Sequence, residues 1–403
     1  LIRSSFLDYI NQHFYIDTKG MKCMRIVMIG NGIAAISAAA TIRKFDTESS
    51  LTMVSDENTP FYSRPRLIEY LAGKSSFEKI VIHGPEWFAR QRIEVLMGTG
   101  VDAIHPERSE ITGSFGTMRY DALLIASGAS PSLPAFCTPG LEQVYTLRTK
   151  ADADAIISAA AHAGTAMVVG GGLLGIETAY ALAERGLTPT IVEYFDRLLP
   201  KQLDAEAAAM LQSMLEAKGM QILLGRSTSS LARNGANVIA HFKDGSNLEA
   251  DIAIVSTGVR PNVGFLGNSG IAVNRGIVVD ERMRTNVPGV FAAGDCAEFG
   301  STLYGIWPAA KEQGEIAGAI IAGQNAVYKG SIMSARLKVA GIDVASMGNI
   351  ALTANMRVES HRDEAGFAKL FFEGDRLRGA ILIGAAVRDQ IKLQGEMELP
   401  ALG

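Results

Sequence analysis

Residues 25–35, RIVMIGNGIAA, run a short apolar strand straight into a turn of small residues. Gly30, Gly32 and Ala35 fill the three small positions of a G-x-G-x-x-G/A pattern. In that pattern the first glycine permits a tight turn and the second lets the backbone approach a pyrophosphate. The third small residue lets the following helix pack on the strand. The helix that opens there aims its N-terminal N–H groups at the phosphates. A single turn of this kind is weak evidence, because it can serve packing alone. The stronger constraint is that it occurs twice. A second apolar run reaches GGGLLG 140 residues later, with Gly170, Gly172 and Gly175 in the three positions.

The two copies also close alike. Residues 122–131, ALLIASGASP, and 252–261, IAIVSTGVRP, each read as a strand, a small-residue turn and a proline. The spacing from first glycine to closing glycine (Gly128, Gly258) is 98 residues in one copy and 88 in the other. Such self-similarity marks a duplicated unit, and two dinucleotide sites in one chain imply two dinucleotides that must meet. The expected architecture is α/β: two Rossmann-like domains and a small α+β C-terminal domain. The first domain spans 23–131 and 257–330, the second 132–256, and the third 331–403.

Each unit offers an acid for ribose hydroxyls at the end of its second strand. In the first unit a strand over 50–54 is followed by Ser55-Asp56-Glu57; Asp56 is the first choice and Glu57 the alternative. In the second, a strand over 188–192 ends at Glu193, 23 residues after Gly170. Tyr194 and Phe195 come next, and the nearest arginine is Arg197. An acid without an adjacent arginine favours NADH, with NADPH the alternative.

Other stretches carry chemistry. In PFYSRPRLIEYLAG (60–73), Tyr62, Arg64 and Arg66 lie near the expected cleft, and Arg64 can donate to phosphate or ring oxygens. In TNVPGVFAAGDCA (285–297) a strand over 290–293 delivers Asp295, an acid suited to a polyol such as ribitol, ahead of a helix that includes 311–322. Cys296 reads as packing, since no histidine lies nearby to activate it. Further expectations are a hairpin over 101–120, a proline-rich crossover at 131–140, and helices over 151–163 and 205–219. The last domain reads as strands over 337–345, 367–373 and 376–384 with a turn at Gly374-Asp375, then a helix over 385–396.

Net charge is −4 with a pI of about 6.0, and no basic stripe stands out, which argues against a nucleic-acid partner. Cys23, Cys137 and Cys296 are far apart and form no C-x-x-C, so neither disulfide framework nor metal cluster is expected. That usage suits a reduced cytoplasmic setting. No apolar run reaches the roughly 18 residues of a spanning helix, so no membrane role is expected. Residues 1–22, which start at Leu1, read as a fragment end, a misplaced start or an extra helix of unassigned role.

Together GNGIAA, GGGLLGIE, STGVRPN and NVPGVFAAGDCAE resemble the two-dinucleotide flavoprotein reductases of the pyridine nucleotide–disulfide oxidoreductase superfamily. The resemblance implies that Gly30, Gly32 and Ala35 hold the FAD pyrophosphate and that Asp295 holds its ribityl chain. Gly170, Gly172, Gly175 and Glu193 would hold the nicotinamide nucleotide, with Glu177 near both reactive rings. FYSRPRL, IWPAAKEQG and LKVAGIDVASMG are similar to segments of NADH:rubredoxin reductases and of the flavin-binding part of assimilatory nitrite reductases. This places Arg64 and Pro65 against FAD and Trp307 near the flavin ring. Val101, Ser127, Gly128, Leu174 and Gly258 complete the implied cofactor-binding set.

The departures matter equally. The chain lacks the C-x-x-x-x-C of disulfide reductases, the single cysteine that other members carry near the position of Leu67, and the C-terminal histidine–glutamate pair. Glu69 falls where oxygenase-type ferredoxin reductases often have a lysine. Thiol chemistry is therefore not expected, and no catalytic proton donor is assigned. The implied activity passes electrons from NADH through FAD to a protein carrier such as rubredoxin or ferredoxin. The alternatives are a flavin subunit of a nitrite-reducing system that passes electrons to a separate haem subunit, an NADH oxidase, and a non-catalytic redox-sensing FAD/NAD-binding protein. Monomer and homodimer both stay open.

Overall fold

The computed structural model describes residues 23–399. The expectation for residues 1–22 lies outside them. The first unit is a five-stranded parallel sheet with Arg25–Ile29 at its centre. Ser50–Ser55 and then Ile93–Met97 lie to one side; Ala122–Ile125 and then Val290–Ala292 lie to the other. The second unit repeats this around Thr165–Val169, with Thr188–Val192 and Gln221–Leu223 on one side and Ile252–Val255 and Val144–Tyr145 on the other. Parallel strands covered on both faces need unbroken apolar runs rather than alternation. The strands beside the central ones comply: Ala122–Ile125 and Ile252–Val255 are buried at every residue.

Each unit also carries a three-stranded antiparallel sheet. In the first it is Val101–His105, Glu110–Gly113 and Gly116–Arg119; in the second, Thr228–Asn234, Asn237–Phe242 and Asn247–Ala250. The expected single hairpin over 101–120 is thus three strands, because Glu107 and its neighbours form a one-turn helix that breaks the first arm. The crossovers between the units run side by side, Ala129–Pro131 pairing antiparallel with Val259–Pro261.

The C-terminal region is a five-stranded antiparallel sheet followed by Gln390–Glu396. The strand expected over 337–345 is two strands, Ser334–Val339 and Ile342–Gly348, turned at Ala340-Gly341. Met356–Arg362, almost wholly polar and exposed, gave no apolar signal and was not expected. One face of this sheet, with Leu337, Val344, Phe367 and Ile381, shares a core with the second unit. Lys369 reinforces that seam, pairing with Asp204 at 2.6 Å and Glu206 at 2.7 Å.

Candidate functional site

Each fingerprint turn is held by the same backbone geometry. Gly30 has φ +107°, and a Cβ there would lie 2.2 Å from the Ala126 carbonyl oxygen. Gly170 has φ +121°, with a Cβ 2.2 Å from the Ser256 carbonyl oxygen. No other residue type fits either place. A Cβ on Gly32 or Gly172 would meet no protein atom within 4 Å, so both loops leave open space beside a helix N-terminus. The helices are Ile33–Phe45 and Leu173–Glu184.

The first turn opens onto a cavity of about 320 Å³. Gly30, Gly32, Asp56, Arg64, Pro65, Ser127, Gly128, Asp295 and Trp307 line it. So do Leu174 and Glu177 from the second unit's fingerprint helix. Ala35 does not face the cavity; it is wholly buried between helix and sheet, as the third small position requires. Val101 packs against the first unit's core and is not among the lining residues. Gly170, Gly172, Gly175, Glu193 and Gly258 belong to the second turn, outside this cavity. None of the three cysteines lines it, and Cys296 is fully buried, its Sγ 3.4 Å from the carbonyls of Ile125 and Ala293.

The polar groups around the cavity form two linked sets. Glu57 accepts from Arg64 Nη2 at 2.6 Å and from the Tyr62 hydroxyl at 2.7 Å. This carboxylate is occupied, so Asp56, exposed at the cavity edge, is the acid left free. Arg64 also donates to the Arg148 carbonyl at 2.8 Å. Its guanidinium thus binds protein partners while the residue lines the cavity. Arg148 in turn donates to Asp295 at 2.7 Å. Arg148 was not anticipated: it stands in the link to the second unit, just before the Thr149 cap of Lys150–Ala160, and no motif marks it.

Two buried polar atoms of cavity-lining residues, Asn31 Oδ1 and Thr59 Oγ1, have no hydrogen-bond partner in the protein. Orphans of this kind are costly unless a ligand satisfies them. With the open space beside Gly32, they fit a bound flavin dinucleotide. Glu177 enters the cavity from the second unit's fingerprint helix. Burial pushes its carboxyl up to about 7.

At the second turn, Glu193 is buried. Its Oε2 accepts from the Gly171 N–H at 2.5 Å and its Oε1 from the Phe195 N–H at 2.8 Å. This acid is thus locked to the glycine loop itself.

The pyridine nucleotide–disulphide oxidoreductase family matches residues 24–314, and the rubredoxin NAD+ reductase C-terminal domain matches 334–395. The chain is 36% identical over 380 residues to an assimilatory nitrate reductase electron transfer subunit of Bacillus subtilis (strain 168), covering 93% of this chain and 49% of that protein. It is 30% identical over 366 residues to an NADH-rubredoxin oxidoreductase of Clostridium acetobutylicum, covering 90% of this chain and 92% of that protein. A crystal structure of NADH:rubredoxin oxidoreductase from Clostridium acetobutylicum superimposes with a TM-score of 0.78 at 29% identity, covering 93% of this chain and 95% of that one. The chain belongs to the pyridine nucleotide–disulphide oxidoreductase family, whose members bind flavin and a nicotinamide nucleotide. It spans about half the length of some curated relatives, the Bacillus electron transfer subunit among them. Among the described residues, no helix is long and apolar enough to cross a membrane.

Proposed function

We propose that the chain takes electrons from NADH into a bound FAD and passes them to a protein electron carrier of the rubredoxin or ferredoxin type. The observation that carries this is the shared cavity: Leu174 and Glu177 of the second fingerprint helix line the space that the first fingerprint opens onto. Two nucleotides bound at the two turns would meet there. FAD, when bound, supplies the conversion of a two-electron hydride into single electrons.

The chain's own residues position and shield. Gly30 and Gly32 admit the pyrophosphate, and the helix behind them faces it with free N–H groups. Asn31 and Thr59 supply the unpaired polar atoms, Asp56 the free carboxylate, and Asp295 with Arg148 a charge-balanced pair for the polyol. Pro65 and Trp307 narrow the cavity against water. Ser127, Gly128 and Gly258 shape the paired crossovers; Ser127 donates to the Asn262 carbonyl at 2.8 Å. The domain division that goes with this reading is 23–131 with 257–330, 132–256 and 331–403. Glu193 supports NADH over NADPH, because a buried carboxylate disfavours a 2′-phosphate.

The lack of a cysteine in the cavity favours direct transfer to a separate acceptor over a thiol relay. Relatives named as rubredoxin reductases support rubredoxin as that acceptor. A second reading, a flavin subunit feeding a haem protein, rests on the nitrate- and nitrite-system relatives. The test is anaerobic stopped-flow absorbance: the flavin-loaded protein is mixed with NADH, then with oxidised rubredoxin. Bleaching of the flavin band followed by fast rubredoxin reduction is expected. Bleaching without rubredoxin reduction moves the weight to the haem-protein acceptor, and absence of bleaching defeats both.

A further inference from the structure

Residues 61–80 lie in the chain between Ser50–Ser55 and Ile93–Met97, two strands of the first sheet. Much of the segment packs elsewhere. Tyr62, Leu67, Leu71 and Ile80 are buried in the core of the second unit, together with Ile176 and Leu182 of its fingerprint helix. The short helix Leu67–Leu71 is the centre of this strap. At one end, Leu67 and Ile68 line the shared cavity, as Leu174 and Glu177 do. At the other end, the carbonyls of the last turn need partners from outside the helix ladder. Those of Ile68, Glu69 and Tyr70 find them among the N–H groups of residues 72–75. The Leu71 carbonyl accepts instead from Arg185 Nε, and Arg185 directly follows the fingerprint helix Leu173–Glu184. Two further ties flank this one. Lys74 Nζ lies 2.9 Å from Glu184, and the Tyr70 hydroxyl donates at 2.7 Å to Asp154, which also pairs with Lys150.

An exposed ion pair such as Lys74–Glu184 holds little by itself. The Arg185 bond is of another kind. A basic side chain can close the end of a helix by taking its last carbonyls, and here that side chain comes from the other unit. Its place gives it leverage. Leu174 stands 11 residues before Arg185, about 16 Å along a helix. A rod that carries one wall of a cavity is fixed in depth and tilt only when both ends are held. The strap holds the near end by packing and the far end through Arg185. We propose that Arg185 is a positioning residue for the meeting of the two nucleotides. From outside the cavity it locks the second fingerprint helix onto the strap, so that a nucleotide at the second turn meets one at the first in fixed register. This rests on the reading that electrons pass from NADH to FAD across the shared cavity. Displacement of reacting groups by an ångström costs on the order of 100-fold in rate. A bond that touches neither nucleotide therefore governs how fast they react, and not how tightly they bind.

The test separates rate from affinity. The flavin-loaded wild type, R185M, R185K and Y70F are mixed anaerobically with rising NADH, and the limiting rate of flavin bleaching is read. Calorimetric titration with ADP-ribose measures binding at the second turn without turnover. R185M, which keeps the apolar stem and loses the donor, should bleach about ten-fold more slowly at saturation, with ADP-ribose affinity and flavin content as in the wild type. The long-wavelength absorbance of reduced flavin with oxidised nicotinamide lying against it should weaken in step. R185K, which keeps a cationic donor, should recover part of the rate. Y70F, which removes only the tie to Asp154, should lose less than R185M. The proposal is overturned if R185M bleaches at the wild-type limiting rate, or if its ADP-ribose affinity falls in the same proportion as its rate. Should R185M not fold, Y70F decides in its place: a wild-type limiting rate there overturns the proposal. Absence of bleaching in the wild type would instead defeat the reading of the shared cavity, and the proposal with it.

Discussion

The two fingerprint units share a strand order and a glycine geometry, yet their turns have different surroundings. In the first, the helix Ile33–Phe45 is covered by Trp307–Ile321 at near-contact distance. A Cβ on Gly314 would lie 2.2 Å from the Ala34 carbonyl oxygen, and one on Gly318 2.5 Å from that of Ala38. The glycine turn faces a lined cavity with orphaned polar atoms. In the second, the tightest approach lies inside the loop: a Cβ on Gly175 would sit 1.9 Å from the Gly170 carbonyl oxygen. The nearby rings of Tyr194 and Phe195 stay in solvent. The same turn thus serves two kinds of tenancy. A walled site suits a ligand that stays; an open one suits a ligand that comes and goes with each turnover.

The sharpest way to break this comparison is to damage the two turns equally. G30A and G170A each drive a Cβ to 2.2 Å from a carbonyl oxygen at positive φ, a strain of roughly 3 kcal/mol or more. G30A should purify without flavin. G170A should keep its flavin absorbance but show no bleaching with NADH. If G170A sheds flavin as readily as G30A, the units are not functionally distinct. Next in size is G314V, which pushes Trp307–Ile321 off the first helix. About 3 kcal/mol of stability should be lost in urea denaturation, with flavin released before global unfolding.

Glu177 joins the units, and its pH behaviour sharpens the contrast. Its carboxyl titrates near 4.5 when unfolded and at about 7 when folded. Between those values the folded state holds the extra proton, so stability falls as pH rises from 4.5 and levels off above 7. E177Q should abolish that slope, worth on the order of 2 kcal/mol, as measured by denaturation at pH 5 and pH 8. The flavin-reduction rate should also lose any inflection near pH 7 in this variant. The smallest effect expected is for D56A, which removes an exposed carboxylate: flavin affinity should fall about ten-fold by fluorescence titration, with melting unchanged.

Much of the fold was legible because duplication and glycine spacing are local signals. The strand–turn–helix geometry around Gly30 and Gly170 and the burial of Ala35 follow from single short motifs. The occupied state of Glu57 was not legible, since it depends on Arg64 and Tyr62 folding back onto it. Arg148 was hidden for a related reason. It reaches Asp295 across 147 positions of sequence, and the backbone from which it extends is fixed by contacts from Asp152 and from the distant Arg64. Strand Met356–Arg362 was missed because an exposed edge strand carries no apolar alternation.

The side-by-side crossovers have a consequence for how the chain comes together in time. The second sheet uses only residues between Val144 and Val255, one contiguous stretch. The first cannot gain its outermost strand, Val290–Ala292, until all of that stretch has been made. Closing so long a loop is slow. The inserted unit should therefore acquire protection early, while the host around it stays incomplete. Pulse-labelled hydrogen exchange during refolding should show the amides of Thr165–Val169 protected before those of Ala122–Ile125, and the reverse order would refute this sequence of events.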